Sequence, residues 1–363
     1  MKIRIDRSVF EGVTDAASQL ELSFLLHIIV YKHRYDLKVT DTEVLCTDSY
    51  GKLTQTEQDI IQQELAYTIT ASADAADCEV AMNGETEDEL KIFSPAEAIV
   101  YLLQPLSVIL ENGLNDAHFM KAIFQCFDSS GELMHRVDEG WIRFENAGGC
   151  MNVKNFLTAR MRTFGDKQKF LNCYVVLDGD RRYPTDPEPD KKYKKLKKSL
   201  EAWGVGYHVL EKRCMENYMP DEAVSSFANA GTQAWITAYH TLTSEQKDFF
   251  SAAEGFSKDI SREQKTIVRK KESKLMTKDK TRRKVSYVRS LLPRDEQLFY
   301  SSVSRGNFLH LEKGLNIGDF KVKFPEKYND RTVIYKANML NRTNHQTDQL
   351  ELEHIAAAIR AII

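Results

Sequence analysis

Two carboxylates separated by one glycine, Asp178-Gly179-Asp180, stand at the end of the apolar run Leu171-Asn-Cys-Tyr-Val-Val-Leu177. An acid pair at a strand tip is suited to a divalent cation: residues i and i+2 of an extended chain point the same way, and the intervening glycine lets the backbone bend close to the ion. A third acid, Glu111, ends the apolar run Leu106-Ser-Val-Ile-Leu110, with Gly113 just beyond. Three carboxylates are near the minimum that holds Mg2+, which keeps several waters and takes further ligands from phosphate. Taken alone, Asp-Gly-Asp is also an ordinary turn after a strand. Glu111 and the order of elements favour the metal.

The elements that must position these acids alternate. Strand Ser107 to Leu110 leads to a helix from Asp116 to Phe127, and strand Trp141 to Glu145 leads through Gly148-Gly149 to a helix from Val153 to Phe164. Strand Cys173 to Leu177 leads to a helix from Lys191 to Trp203, and strand Gly206 to Leu210 closes the series. This alternation predicts an α/β domain over residues 105–221, a parallel sheet with helices on both faces. Ligands of such sheets sit beyond the carboxyl ends of the strands, where Glu111, Gly148, Asp178 and Glu211 all fall.

Residues 1–104 read as an α+β scaffold or docking domain. The pattern places strands at Lys2 to Ile5, near Ala66 to Ile69 and at Glu79 to Met82, helices from about Ala16 to Lys32 and Thr56 to Leu65, and a short helix opening at Ser94-Pro95. Residues 222–363 read as mainly helical and basic, with helices from Asp221 to Tyr239 and Ser244 to Phe256, short strands between Gly314 and Phe324, and a terminal helix from Leu350 to Ile362. Between Ser257 and Ser290 thirteen Lys or Arg face four Asp or Glu, a local cationic strip in a chain whose net charge is only −3. Any nucleic-acid footprint is therefore local. Six cysteines without a CxxC pair argue against zinc and against a disulfide framework, and fit a cytoplasmic protein. The longest apolar run, around Phe24 to Tyr31, is too short to span a bilayer.

The order strand-Glu-Gly, crossover, strand-Asp-Gly-Asp resembles the Toprim domain of topoisomerases, primases and OLD-type nucleases. The resemblance implies Mg2+ or Mn2+ as cofactor, in two ions, with Glu111, Asp178 and Asp180 as catalytic metal ligands. The segment Val209-Leu-Glu-Lys-Arg-Cys-Met-Glu-Asn-Tyr-Met-Pro220 looks like the piece that follows the last core strand of the OLD-type members. It implies Glu216 as a second-metal ligand and Lys212 or Arg213 as the cation that stabilises the pentavalent phosphate; alternatively Glu211 and Glu216 pair with Lys212 and Arg213 at the surface. Asp116 stands one residue later than the family spelling Glu-Gly-x-x-Asp/Glu requires, so it is either a metal ligand or a helix N-cap. Glu11-Gly-Val-Thr-Asp15 matches that spelling better but lies too far from Asp178, with no buried apolar strand before it.

Arg181, Arg182, Arg213, Lys270, Arg282 and Arg283 are the candidate contacts to the phosphate backbone. No GxxxxGK[ST] loop is present, so the resemblance implies a stand-alone nuclease acting on DNA or RNA, the effector of an antiviral defence system paired with a separate ATPase. The alternative is a non-catalytic Toprim-fold subunit that binds or regulates a nucleoprotein complex.

Overall fold

The computed structural model describes residues 1–70, 75–85, 90–259 and 289–363. They form a mixed α/β structure around two four-stranded sheets, both wholly parallel. The second sheet carries the candidate acids. Its strands are β5 (Leu106–Leu110), β6 (Ile142–Asn146), β7 (Cys173–Leu177) and β8 (Gly206–Val209), in the order β6-β5-β7-β8. Every residue of β5 and β7 is buried, because continuous apolar strands are those a parallel sheet covers on both faces. The outer strands β6 and β8 are part exposed.

Helix Gly113–Phe127 covers one face with Phe119, Met120, Ile123 and Phe124. Helices Cys150–Arg162 and Glu188–Ala202 cover the other with Val153, Leu157, Tyr193 and Leu200. The connection from β5 runs outward to β6, and that from β7 runs outward the other way to β8. The strand order therefore reverses between β5 and β7, and the crevice beyond their carboxyl ends is the place where open α/β sheets bind ligands.

Residues 1–102 build the first sheet, whose strands are β1 (Lys2–Ile5), β2 (Asp36–Lys38), β3 (Cys78–Val80) and β4 (Lys91–Phe93), in the order β2-β1-β3-β4. This region is α/β rather than the expected α+β. Strands β2 and β4 are three residues long, too short for a periodic signal. The expected strand Ala66 to Ile69 is instead the last turn of helix Gln55–Thr70, since a four-residue apolar run fits either state. The helix at Ser94-Pro95 forms as read, with Ser94 capping Glu97 N and Pro95 opening Pro95–Leu102.

Residues beyond 222 contribute helices, among them Asp221–Ser225, Gln233–Tyr239, Ser244–Phe249 and Glu351–Arg360. The expected strands between Gly314 and Phe324 do not form: Phe320–Glu326 is helical. These helices have no core of their own. Trp235, Phe250, Phe308, Met339 and Ile355 share one apolar cluster with Val108, Phe124 and Tyr218, so the C-terminal part closes one face of the second sheet. Among the described residues no helix is long and apolar enough to cross a membrane.

Candidate metal centre

The β5–β7 register sets Ile109 beside Val175, so the residues that follow the two strands emerge side by side. The backbone N–H of Asp178 donates to Glu111 Oε1 at 3.3 Å, and that of Cys150, at the start of its helix, donates to Oε2 at 3.2 Å. Glu111, 67 positions from Asp178, is thus bolted to the loops that end β6 and β7.

The Asp-Gly-Asp step is a tight bend rather than an extended pair. Asp180 has φ +55°, a left-handed conformation that aspartate tolerates better than most residues. Its N–H donates to Arg213 O at 2.7 Å. Gly179 passes against the loop after β8: a Cβ there would lie 2.1 Å from Lys212 O and 2.5 Å from Leu210 O. Glycine is therefore needed for close backbone approach. The bend separates the environments of the two aspartates, so the same-side rule of an extended chain does not apply. Asp178 Oδ1 accepts from Met215 N at 3.3 Å, whereas Asp180 Oδ2 accepts from Tyr193 Oη at 2.7 Å and from the Lys192 ammonium.

Five acids lie near enough at this edge to act on one another, and of these only Glu111 and Asp180 bring oxygens, with the Cys150 thiol, within 4.8 Å of one another among the described residues. The negative charges that bear on Asp178 are those of Glu111, Glu216, Asp116 and Asp180, in that order. Burial comes before them, and together they hold its carboxyl well above the usual range. Burial and Asp180 likewise raise Glu111, against Lys192 and the two N–H donors. Burial pushes Asp116 up to about 7, against the Asn112 N–H, with Glu216 and Glu111 adding to the rise. Asp116 is not the N-cap. That position is Asn112, and Asp116 sits in the first turn with Oδ2 accepting Asn112 N at 2.8 Å.

Mutual repulsion of this kind is what a divalent cation relieves. Glu216 accepts no side-chain hydrogen bond from the described residues, and Asp116 and Asp178 are each recorded with one. The donor set is thus under-satisfied and acidic, a fit for Mg2+ or Mn2+.

Three further residues border the acids. Cys150 contributes a buried thiol, and one atom each of Glu111, Cys150 and Asp180 lie within 4.8 Å of one another. Tyr193, only 1% exposed, donates its one hydroxyl hydrogen to Asp180 Oδ2 and stands 3.4 Å from Glu111 Oε1; burial and those two charges keep its hydroxyl protonated. Lys192, one of six lysines on its helix, is the third.

Lys212 and Arg213 depart from expectation. Lys212 is 1% exposed and donates to Asp248 Oδ1 at 2.5 Å and to Arg342 O, while Arg213 is buried and donates to Phe249 O at 3.1 Å. Asp248 also receives Arg342 at 2.9 Å and His345 at 2.5 Å. Both side chains are enclosed by these contacts, and burial pulls the Lys212 ammonium down to about 7; neither is turned to the surface, and neither pairs with Glu211, which instead accepts the N–H groups of Thr347 and Asp348. The network fixes the loop that backs Gly179. Arg181 and Arg182 are part exposed and ion-paired, to Asp190 at 3.2 Å and Asp186 at 2.7 Å. Lys270, Arg282 and Arg283 lie outside the described residues. Glu11, in the rejected spelling, pairs with Arg7 in the first domain. Comparison with family models, with curated proteins and with solved structures finds no match for this chain.

Proposed function

We propose that the chain is a divalent-metal-dependent nuclease with a Toprim-like catalytic domain, hydrolysing phosphodiester bonds of DNA or RNA. The observation that carries this reading is the convergence of Glu111, Asp116, Asp178, Asp180 and Glu216, from three separate chain segments, at the point where the strand order reverses.

Glu111, Asp178 and Asp180 would hold the cation, with Asp116 and Glu216 completing the set. A bound Mg2+ or Mn2+ supplies a water nucleophile at neutral pH and charge to balance the phosphoryl oxygens. The protein's own contribution is orientation. Tyr193 holds Asp180 and Glu111 in register, and Met215 N–H fixes Asp178. Action beside a separate ATPase in antiviral defence belongs to the same proposal and rests on the Toprim resemblance alone.

The test is cleavage of supercoiled plasmid and of structured RNA by purified protein with Mg2+ or Mn2+, beside Asp178→Ala. Cleavage by wild type, lost with chelator and in the variant, supports the proposal. Intact substrate under both metals overturns it and leaves the non-catalytic binding subunit.

A further inference from the structure

Lys192 is the one cation recorded in contact with the five carboxylates among the described residues. Its Nζ donates to Asp180 Oδ2, and its charge bears on Glu111 and on the Cys150 thiol. It thus sits on Asp180, which with Glu111 and Cys150 makes up the group whose ligand atoms approach one another within 4.8 Å. A divalent ion ligated there and an ammonium on Asp180 would be like charges in contact.

The pair is built to break. The side chains of Lys192 and Asp180 are 36% and 35% exposed, against 1% and 4% for Lys212 and Asp248. An ion pair this open contributes little, and a lysine stem is flexible enough to swing the charge into water. Lys191 beside it is engaged with Glu188, and Arg181 with Asp190, so these two neighbouring cations are held away from Asp180.

We infer that Lys192 is an intrinsic counter-ion: it neutralises the acidic cluster in the metal-free protein and must leave Asp180 before a divalent cation binds. This inference rests on the metal-site reading above. Once released, the ammonium stays on the helix that borders the site, within reach of an anionic ligand of the metal. Metal affinity is then set by competition with a charge the protein carries itself.

The experiment is a Mn2+ titration of the full chain, by calorimetry and by loss of the free Mn2+ resonance signal, comparing wild type, Lys192→Gln and Lys192→Arg. Lys192→Gln is expected to bind Mn2+ about tenfold more tightly, ~1.4 kcal/mol, and Lys192→Arg no more tightly than wild type. Melting with chelator is expected to show Lys192→Gln less stable than wild type, with added Mn2+ removing the difference. Equal or weaker binding by Lys192→Gln, with wild type still binding, overturns the counter-ion alone. Failure of all three proteins to bind Mn2+ overturns it together with the metal centre.

Discussion

Replacing Asp116 by Asn is expected to stabilise the metal-free protein at alkaline pH, the reverse of what most substitutions at a partly buried position do. The carboxyl is raised from the usual 3.8 to about 7, chiefly by burial. A carboxylate raised in the folded state contributes stability that is fully present below its unfolded value and lost as pH climbs through the folded one. At about 1.4 kcal/mol per pH unit, the whole rise is worth about 4 kcal/mol. Most of that loss falls between pH 5 and pH 8, and partial exposure of the side chain reduces it to about 1–3 kcal/mol.

Asn keeps an oxygen for the Asn112 N–H and never ionises, so it escapes the loss. Urea denaturation with chelator at pH 5 and pH 8 measures the effect: wild type should lose about 1–3 kcal/mol more than Asp116→Asn over that interval. Saturating Mn2+ should narrow the gap, because the ion stabilises the charged carboxylates of wild type. Parallel pH profiles for the two proteins would refute the account of a crowded, like-charged site.

Three other outcomes follow from the same geometry. Gly179→Ala forces a Cβ into the Lys212 and Leu210 carbonyls, backbone atoms that cannot swing aside, and should cost about 3 kcal/mol or more in denaturant titrations. Asp248→Asn leaves Lys212 and Arg342 buried without their shared carboxylate and should cost about 3–5 kcal/mol by the same measurement. Tyr193→Phe removes the hydroxyl that orients Asp180 and Glu111; calorimetry should show about tenfold weaker Mn2+ binding, with stability lowered by only about 1 kcal/mol.

Strands β5 and β7 are legible in the residues because buried parallel strands are continuous apolar runs, and the part-exposed β6 and β8 are placed by the alternation with helices: Cys173–Leu177 forms as read, and the other three agree within a residue at either end. Strand order, which brings Glu111 beside Asp178, does not follow from that alternation and emerges only in the strand pairing. What was not legible depends on contacts between distant segments. Nothing local marks Tyr193 among the lysines of its helix as the residue that turns inward to two acids, or Cys150 as more than a helix start.

Lys212 misled for a related reason. A basic residue beside the site acids reads as the cation that meets the phosphate or as a surface charge, and only Asp248, 36 positions on, explains why it is buried. The first sheet was mistaken in class because three-residue strands carry no period, and pairing alone reveals them as parallel.

Anomalous diffraction from crystals soaked in millimolar Mn2+ tests the central claim most directly. The account predicts a manganese peak among the carboxylates of Glu111, Asp178 and Asp180, at about 2.0–2.5 Å from their oxygens, with Lys192 displaced from Asp180. Well-ordered density for these acids with no peak between them, or with Lys192 still seated on Asp180, would contradict it.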